Sequence, residues 1–362
     1  MKINVLTIGP DYKTLKGGIA SVLEVYSKYD EQFKFLPTHS SKSTIKNILV
    51  FPLKYFNILF FLLIHPSYKI VHIHGSSYIS FYRKYLFFLT LKYILRRKII
   101  YHIHGSEYQV FVENANRFKA MMIRHMMESS DAIICLSIQW KQFFEDNLTL
   151  KSIYILNNII PLPSEISDKT QITKKENSKI RFLLLGRIGK RKGIFDLIDT
   201  IYKNRDYFLG KVEVIIGGDG EIERLKKEIT EYHLEEIVQY VGWVSGRKKD
   251  TLLADSDVYL LPSYNEGLPI SILEAMSYKK PIISTDVGGI STIVKNSFNG
   301  FLIEAGDKEA LFTGMKYFIE NREKIDEYGN NSFQISKNFL PQEVIEDLHN
   351  IYKKVKNYEF SK

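Results

Sequence analysis

The chain has 362 residues, enough for two domains of about 150 residues each, and its 45% hydrophobic and 25% charged residues exclude a disordered, collagen-like or small disulfide-stabilised protein. The single cysteine, Cys135, excludes an intramolecular disulfide and a multi-cysteine metal site, and indicates a reducing, cytosolic compartment. The net charge of +9 lies in the first part of the chain, because residues 1–170 hold 21 Lys and Arg against 12 Asp and Glu, whereas residues 171–362 hold 29 of each. One domain is therefore expected to meet an anionic partner.

Short apolar runs alternate with amphipathic segments of helix length, which is typical of parallel strands covered by helices on both faces. The predicted strands are Ile3–Ile8, Ile70–Ile73, Ile99–Ile103, Ala132–Leu136, Ile153–Leu156, Ile180–Leu185, Val212–Ile216, Val258–Leu261 and Pro281–Ser284. Because the pattern occurs in both halves, we predict an α/β protein with two doubly wound domains.

The domain boundary is visible as a polar stretch, Ser164–Lys179, which we predict to be a linker. We place the first domain at residues 1–160 and the second at residues 175–340. A helix at about residues 343–362 is expected to pack back onto the first domain.

The first domain combines a long apolar segment with an unusual run of bases. Ile48–Ile64 is interrupted by Pro52, Lys54 and Asn57, so we expect it to fall short of the ~20 residues that span a bilayer. Between Glu31 and Glu107 there is no acidic residue but eleven bases, interleaved with aromatic side chains. This composition suits an anionic bilayer surface, although ordinary core aromatics beside a solvated basic face would give the same pattern.

The bases expected to face the membrane or a bound acceptor are Arg83, Lys84, Arg96, Arg97 and Lys98. No secretory signal is predicted. These expectations together describe a cytoplasmic protein attached peripherally to the inner face of the membrane.

Two glycine-rich segments are candidate anion sites. Gly17-Gly18 opens a helix after the first strand, where backbone N–H groups and the helix dipole favour an anion. Residues 186–193, Gly-Arg-Ile-Gly-Lys-Arg-Lys-Gly, place four bases between a strand and a helix. Arginine binds phosphate oxygens bidentately and lysine supplies a point charge, so the second segment is the stronger candidate.

Two carboxylates lie eight residues apart after the strand Val258–Leu261. Glu266 is placed in the loop at the carboxyl end of the strand, where open α/β sheets bind ligands, and Pro269 begins the next helix. Glu274 falls in that helix among apolar neighbours. The two carboxylates are suited to hold separate hydroxyl groups of one polar ligand, although a surface salt bridge would also explain Glu274.

Two histidine pairs, His72 with His74 and His102 with His104, each end a predicted strand with both members on one face. A metal would need further ligands and the chain has no His-Glu-x-x-His helix, so we predict no metal site. His104, at the exit of its strand, is the candidate for touching substrate. The segment Asp255–Asp257 has an Asp-x-Asp pattern that can hold a divalent ion, but we expect a structural role for it.

Taken together, these motifs resemble the retaining glycosyltransferases of family 4, which have the GT-B fold. The resemblance rests on Gly186-Arg187 with Lys192-Gly193, Gly217-Gly218-Asp219-Gly220, Glu266-x7-Glu274, Val287-Gly288-Gly289 and Asn299-Gly300-Phe301-Leu302. It extends from Met1 to about Ala310 and is less distinctive in the first half, through Gly17-Gly18 and His104-Gly105.

The resemblance implies two Rossmann-like domains that face each other across a cleft, the second of which binds a nucleotide-diphosphate sugar of UDP or GDP type. It implies that Arg187 and Lys192 neutralise the diphosphate, and that Glu274 holds the ribose. Glu266, followed by Gly267 and Leu268 in the same donor-binding segment, would hold hydroxyls of the sugar.

The resemblance also implies a backbone N–H from Gly18 to the phosphate and a contact of His104 with the sugar near the reacting carbon, so His104 and Glu266 are the candidate catalytic residues. Enzymes with this fold generally need no bound metal, and retention of anomeric configuration in hexosyl transfer is implied by the family alone.

Three functions remain open from the sequence. The first is transfer to a polyprenyl-diphosphate-linked saccharide in capsule, exopolysaccharide or O-antigen synthesis. The second is transfer to a soluble acceptor, as in glycogen- or sucrose-type synthases. The third is a non-catalytic nucleic-acid binder that uses the basic stretch, but this leaves the two glutamates unexplained and we expect no nucleic acid as a partner.

Overall fold

The computed structural model describes residues 3–41, 43–105, 108–163 and 179–357. The chain forms two compact units, Met1–Ile160 with Phe339–Lys362, and Pro161–Asn338. The predicted linker lies outside the described residues apart from Lys179, as do residues 358–362 of the predicted last helix.

The first unit is built on a parallel sheet, whose described strands have the order β2-β1-β3-β4-β5-β6. These strands are β1 (Val5–Pro10), β2 (Lys34–His39), β3 (Ile70–Gly75), β4 (Lys98–Ile103), β5 (Ala132–Cys135) and β6 (Ile153–Ile155). The helices between them are α1 (Gly18–Tyr29), α2 (Thr44–Ile64), α3 (Ile79–Leu89), α4 (Tyr108–Glu113), α5 (Arg117–Ser129) and α6 (Ile138–Asn147). A π-helical turn, Thr90–Ile94, extends α3.

The second unit has a parallel sheet of the same kind, whose described strands have the order β12-β11-β10-β7-β8-β9. They are β7 (Ile180–Leu185), β8 (Val212–Gly217), β9 (Val238–Tyr240), β10 (Val258–Leu261), β11 (Ile282–Thr285) and β12 (Gly300–Ile303). The helices are α7 (Ile194–Lys203), α8 (Arg205–Phe208), α9 (Ile222–Glu231), α10 (Gly246–Asp255), α11 (Ile270–Ser277), α12 (Ile290–Ile293), α13 (Lys308–Glu320) and α14 (Glu323–Ser336). Short 3₁₀ turns occupy Lys190–Lys192 and Lys337–Phe339.

The last helix, α15 (Pro341–Asn357), belongs to the first unit. It buries Val344, Leu348 and Ile351 along one side, and its Tyr352 hydroxyl lies 2.7 Å from Nδ1 of His72 in β3. The ammonium group of Lys98 donates to the carbonyls of the last turn of α15, an arrangement that satisfies the free C=O groups and the dipole of a helix end.

The structure confirms the predicted architecture of two doubly wound α/β units, and each predicted strand is present within about two residues of its expected bounds. Three strands were missed, namely β2, β9 and β12, and each lies at an edge of its sheet. Edge strands are covered less completely than central ones and tolerate polar residues and proline, such as Pro37 in β2. β2 and β9 therefore lack the continuous apolar run by which the central strands were recognised, whereas β12 is a short apolar run that was recognised only as part of a motif.

The prediction of an interrupted apolar segment at Ile48–Ile64 is wrong. The structure has one 21-residue helix there, α2, which includes Pro52. Its residues Ile45–Ile64 are long and apolar enough to cross a membrane by length and composition, and only 11% of the most apolar stretch is buried. One side of the helix does pack on the first unit, because Ile58 and Leu62 are completely buried in its core.

Candidate functional site

In the second unit, the loops that carry the predicted donor residues lie together at the carboxyl ends of the strands. Strands β10, β7 and β8 are neighbours and parallel, so the loops that follow them emerge side by side. The loop after β7 contains the basic segment, and the Arg191 carbonyl accepts a hydrogen bond from the backbone of Tyr264 in the loop after β10. The two loops are therefore joined through their backbones.

Two glycines permit this close approach. Gly193 has a left-handed φ of 67°, and a Cβ at this position would lie 1.8 Å from the Pro262 carbonyl oxygen. Gly288 has a φ of 58°, and its Cβ would lie 1.9 Å from the Glu266 carbonyl oxygen. The backbone at Pro262 and at Glu266 is thus approached so closely that only glycine fits at the contacting positions.

Glu266 is 7% exposed and lies beside two cations of the basic loop. Its Oε1 lies 2.5 Å from Nζ of Lys192, and its Oε2 lies 3.9 Å from Nη1 of Arg191. Arg191 also donates to the Asn265 carbonyl at 2.9 Å. A nearly buried carboxylate with a lysine in contact can accept ligand hydroxyls while the lysine offers positive charge to an anion beside it.

The second predicted carboxylate, Glu274, lies on α11 and is 8% exposed. Its Oε1 lies 2.5 Å from Nζ of Lys249 on α10, so in this structure the carboxylate is engaged in an ion pair. Sequence reasoning missed Lys249 because it lies 25 residues away on another helix and outside any motif. It missed Arg191 as a partner of Glu266 because four bases of one loop could not be ranked from the sequence.

The remaining predicted donor residues lie in the same loops. Arg187 is exposed, and among the described residues its guanidinium makes no hydrogen bond or ion pair. Gly267 accepts a hydrogen bond from the Gly289 backbone at 2.7 Å, and Leu268 is buried. The structure therefore brings together Lys192, Glu266 and the segment around it.

The Asp-x-Asp segment lies at the opposite end of the sheet. Asp257 precedes β10, and its carboxylate accepts a hydrogen bond from the Arg181 backbone at 2.7 Å. The Asp255 carboxylate lies 4.0 Å from the guanidinium of the same arginine. Both carboxylates are used structurally, at the amino end of the strand, away from the loops that carry Glu266.

In the first unit, strands β3 and β4 pair in a register that sets His74 beside His102. His72 Nε2 lies 3.2 Å from His102 Nδ1, and His74 Nδ1 lies 2.8 Å from His104 Nε2. His72, His74 and His102 are buried, whereas His104 is half-buried. The predicted pairs thus form one cluster in which His74 orients the ring of His104.

Burial controls the protonation of this cluster. It lowers the pKa of His72 to about 3, helped by the nearby His104, and it alone lowers the pKa of His104 to about 3. Burial and the neighbouring histidines lower the pKa values of His74 and His102 well below their ordinary value. The four rings are therefore neutral near pH 7, with one N–H each.

The cluster also has the spacing of a possible metal site, because one ring nitrogen from each of His72, His74 and His102 lies within 4.8 Å of the others. Nε2 of His74 and Nε2 of His102 are buried and make no hydrogen bond among the described residues. Both ring nitrogens of His72 are already engaged, Nδ1 by the Tyr352 hydroxyl and Nε2 by Nδ1 of His102. The absence of a metal site stays a prediction.

Gly18 is exposed and is the first residue of α1, which follows the loop after β1. Its backbone is therefore placed at the carboxyl end of a strand, where the sequence predicted it.

Two of the five bases predicted to face a membrane have side chains that are engaged within the first unit. Lys84 is completely buried and donates to the Thr38 hydroxyl at 2.5 Å, and burial together with Arg83 lowers its pKa well below the ordinary value. Lys98 is half-buried and holds the end of α15. The prediction is wrong for both, because Lys84 is enclosed within the first unit and Lys98 is engaged at the end of α15.

The other three predicted bases differ in exposure. Arg97 is half-buried and donates to the Leu62 carbonyl at the end of α2 at 2.9 Å. Arg83 is half-buried, and its Nη1 is buried with no hydrogen-bond partner among the described residues. Arg96 is exposed. Of the five, Arg96 is thus the base best placed to meet a surface outside the protein.

Comparison with known proteins identifies relatives of the chain. Residues 165–334 match the family model for glycosyl transferases group 1. An uncharacterised glycosyltransferase of Methanocaldococcus jannaschii is 27% identical over 64% of the chain and 60% of that protein. An uncharacterised 41.2 kDa protein in the cps region of Klebsiella pneumoniae is 24% identical over 92% of the chain and 96% of that protein.

A third relative has a named reaction. The UDP-Gal:alpha-D-GlcNAc-diphosphoundecaprenol alpha-1,3-galactosyltransferase of Escherichia coli is 28% identical over 52% of the chain and 49% of that protein. The chain therefore spans between about half and nearly all of the length of these three relatives.

Solved structures share the fold. Sucrose-phosphate synthase from Thermosynechococcus elongatus superimposes with a TM-score of 0.79 and 15% identity, over 98% of the chain and 99% of that protein. Anabaena HepE in complex with UDP superimposes with a TM-score of 0.76 and 18% identity, over 97% and 100%. At these identities the likeness establishes the fold, two doubly wound sheets of the GT-B class.

Proposed function

The chain belongs to the group 1 glycosyl transferases, and on that premise we propose that it moves a hexose from a nucleotide-diphosphate sugar of UDP or GDP type to a saccharide carried on a polyprenyl diphosphate. The reaction proceeds with retention of anomeric configuration and serves the synthesis of a capsular or related surface polysaccharide. The cps location of the Klebsiella relative and the lipid-linked acceptor in the name of the Escherichia coli relative support this proposal.

The observation that carries the proposal is the contact between Glu266 and Lys192 at the carboxyl ends of β10 and β7. A nearly buried carboxylate joined to a basic loop offers hydroxyl acceptors and positive charge within one small volume. A sugar attached to a diphosphate has the complementary groups, namely hydroxyls beside an anion. HepE, which has the same fold, was solved with UDP bound, so this fold accommodates such a nucleotide.

The basic loop assists departure of the nucleotide. As the bond between the sugar carbon and the diphosphate oxygen breaks, negative charge grows on the diphosphate, and Lys192 and Arg187 neutralise it. The acceptor hydroxyl forms the new glycosidic bond at that carbon and transfers its proton to the departing diphosphate oxygen. Glu266 accepts hydrogen bonds from donor-sugar hydroxyls, and Glu274 exchanges its ion pair with Lys249 for contact with the ribose.

The first unit supplies the acceptor side. His104, neutral and oriented by His74, is the residue of the first unit to which we assign a catalytic role. Because the side chains of the protein neutralise the leaving group, the reaction needs no metal ion. The acceptor lipid places the protein in the cytoplasm at the inner face of the membrane.

The proposal is tested by incubating the full chain with a panel of UDP- and GDP-sugars and a bacterial lipid extract, followed by mass spectrometry. One donor is expected to be consumed while a heavier lipid-linked glycan appears, with or without EDTA. The Glu266→Gln variant should lose the product. Glu213→Gln is the matched control, because Glu213 also pairs with an arginine of this unit but lies at the amino end of β8.

A product that forms equally in Glu266→Gln would refute the role of this carboxylate. Product formation only on a water-soluble saccharide would refute the lipid-linked acceptor and favour the soluble-acceptor function. Loss of activity in EDTA that magnesium restores would refute metal independence.

A further inference from the structure

The outer side of α2 is an apolar surface that stays exposed in the part of the chain that the structure describes. Eight of its side chains expose between 54% and 75% of their surface. We call these the α2 stripe: Ile45, Ile48, Leu49, Leu53, Phe56, Phe60, Leu63 and Ile64. Spacings of three and four residues place them on one face of the helix, opposite the face that buries Ile58 and Leu62.

A neighbouring element adds apolar surface. Phe87 of α3 lies against Phe51 and Tyr55 of α2, with ring centroids 5.7 Å and 5.1 Å apart. On their exposed sides, α3 and the π-helical turn after it carry Tyr82, Leu86, Tyr93 and Ile94, the last of which is 72% exposed. Apolar patches on soluble monomers rarely exceed about 300–600 Å², and larger ones mark sites of interaction with proteins or membranes.

The surrounding charge identifies the partner. Residues 32–106 contain no acidic side chain, so no negative charge from this segment opposes an anionic surface. Lys46 and Lys54 lie on α2 itself, and Arg96 is exposed just after the π-helical turn. An apolar helix face in a basic segment without acidic residues matches the acyl chains and anionic headgroups of a bilayer. We propose that the α2 stripe inserts into the interface of an anionic membrane.

The topology of the sheet decides between lying on the membrane and crossing it. Strands β2 and β3, which precede and follow α2, both pair with β1 in one sheet. A 21-residue helix is about 31 Å long. Only residues 65–69 connect its end to β3, and five residues reach at most about 18 Å. The chain could not cross a bilayer and return to the sheet, so α2 lies in the plane of the membrane surface.

This inference extends the proposed function, since a polyprenyl-linked acceptor is held in a membrane of this kind. It replaces the predicted contact of Lys84 and Lys98 with a membrane, because Lys84 binds Thr38 and Lys98 binds the end of α15. Membrane binding itself needs neither donor nor acceptor and is measured without them.

The test is flotation of the full chain with vesicles of phosphatidylethanolamine and phosphatidylglycerol, compared with vesicles of phosphatidylcholine. The triple variant Leu49→Ser, Leu53→Ser, Phe56→Ser should bind the anionic vesicles at least tenfold more weakly. Lys46→Gln and Lys54→Gln should each weaken binding about fivefold at low salt. In a Phe56→Trp variant, brominated lipids should quench the fluorescence at a shallow depth, about 5–10 Å below the headgroups.

The matched control is Phe298→Ser, which removes an aromatic ring that is 47% exposed in the second unit and should leave vesicle binding unchanged. Equal vesicle binding by the triple variant and the unaltered protein would overturn the inference. Self-association through the α2 stripe would also overturn the inference. It would be seen as a dimer that the triple variant abolishes and that added vesicles do not dissociate. Donor consumption is measured in parallel: vesicle binding without consumption refutes the proposed function, and consumption without vesicle binding refutes only this inference.

Discussion

Acidification from pH 7.5 to pH 5.5 should destabilise the first unit through its buried histidines. Burial lowers the pKa of His72 and of His104 to about 3, and it lowers the pKa values of His74 and His102 well below their ordinary value. A histidine whose pKa is lower in the folded state binds fewer protons there than in the unfolded chain. Its contribution to stability is complete above the unfolded pKa of about 6.5 and is lost as the pH falls from there toward the folded pKa.

The magnitude follows from the unfolded state, in which a histidine with a pKa near 6.5 takes up a proton across this interval. Between pH 7.5 and pH 5.5, each histidine that stays neutral in the folded protein lowers the free energy of unfolding by about 1.4 kcal/mol. The four histidines of the cluster give about 5 kcal/mol. Because small domains are stable by only about 5–15 kcal/mol, this is a large share of the total.

The assay is urea unfolding of the full chain at several pH values, followed by circular dichroism, with EDTA present so that no bound metal contributes. The His72→Gln variant should reduce the pH dependence by about one quarter. Tyr352→Phe is the control, because it removes the hydroxyl that contacts His72 but no histidine. It should lower stability at every pH and leave the slope unchanged.

A free energy of unfolding that stays constant within about 1 kcal/mol from pH 7.5 to pH 5.5 would refute this reasoning. It would mean that the cluster takes up protons in the folded protein, contrary to the burial of its rings. An unchanged slope in His72→Gln would assign the dependence to other groups.

Three further predictions concern single contacts. A double-mutant cycle with Lys192→Met and Glu266→Gln should give a coupling free energy of about 1–3 kcal/mol in urea unfolding, and additive effects would show that the ion pair contributes nothing. Gly193→Ala should destabilise the protein by more than Gly210→Ala. Both glycines have a left-handed φ, but only at Gly193 would a Cβ lie against backbone atoms. Equal losses of stability in thermal melts, each about 1–3 kcal/mol, would contradict the close approach of the backbone at Gly193. Lys84→Met should raise the free energy of unfolding by about 1–3 kcal/mol, because it removes a buried amine, and a loss of stability would contradict that account.

The central strands could be predicted from the sequence because each is covered on both faces and reads as a short apolar run. β7 and β10 have the expected bounds, whereas the edge strand β2 begins with an exposed lysine and contains Pro37. Its place in the sheet comes from pairing with β1 and not from its own composition. Local patterns cannot report such pairing.

The candidate site divides in the same way. Glu266 and Lys192 were found because each lies in a loop next to a recognisable strand, but their contact arises from the order of strands in the sheet. Lys249 and Tyr352 were missed because they approach Glu274 and His72 from distant parts of the chain.

Charge alone gave the wrong role to Lys84. Its position among aromatic and basic residues resembles a membrane surface, yet α3 turns this side chain inward to Thr38. Conversely, the apolar composition of Ile48–Ile64 was visible, but which of its faces is exposed depends on packing against β2 and α3. The docking surface therefore emerged only from the structure.

Calorimetric titration of the full chain with UDP and with GDP tests for a nucleotide-sugar site built on Lys192 and Glu274. We expect one of the two nucleotides to bind. Lys192→Ala should weaken this binding about tenfold to a hundredfold, the effect of removing one charge-assisted hydrogen bond, and so should Glu274→Gln. Binding of neither nucleotide, or binding that both variants leave unchanged, would contradict the account.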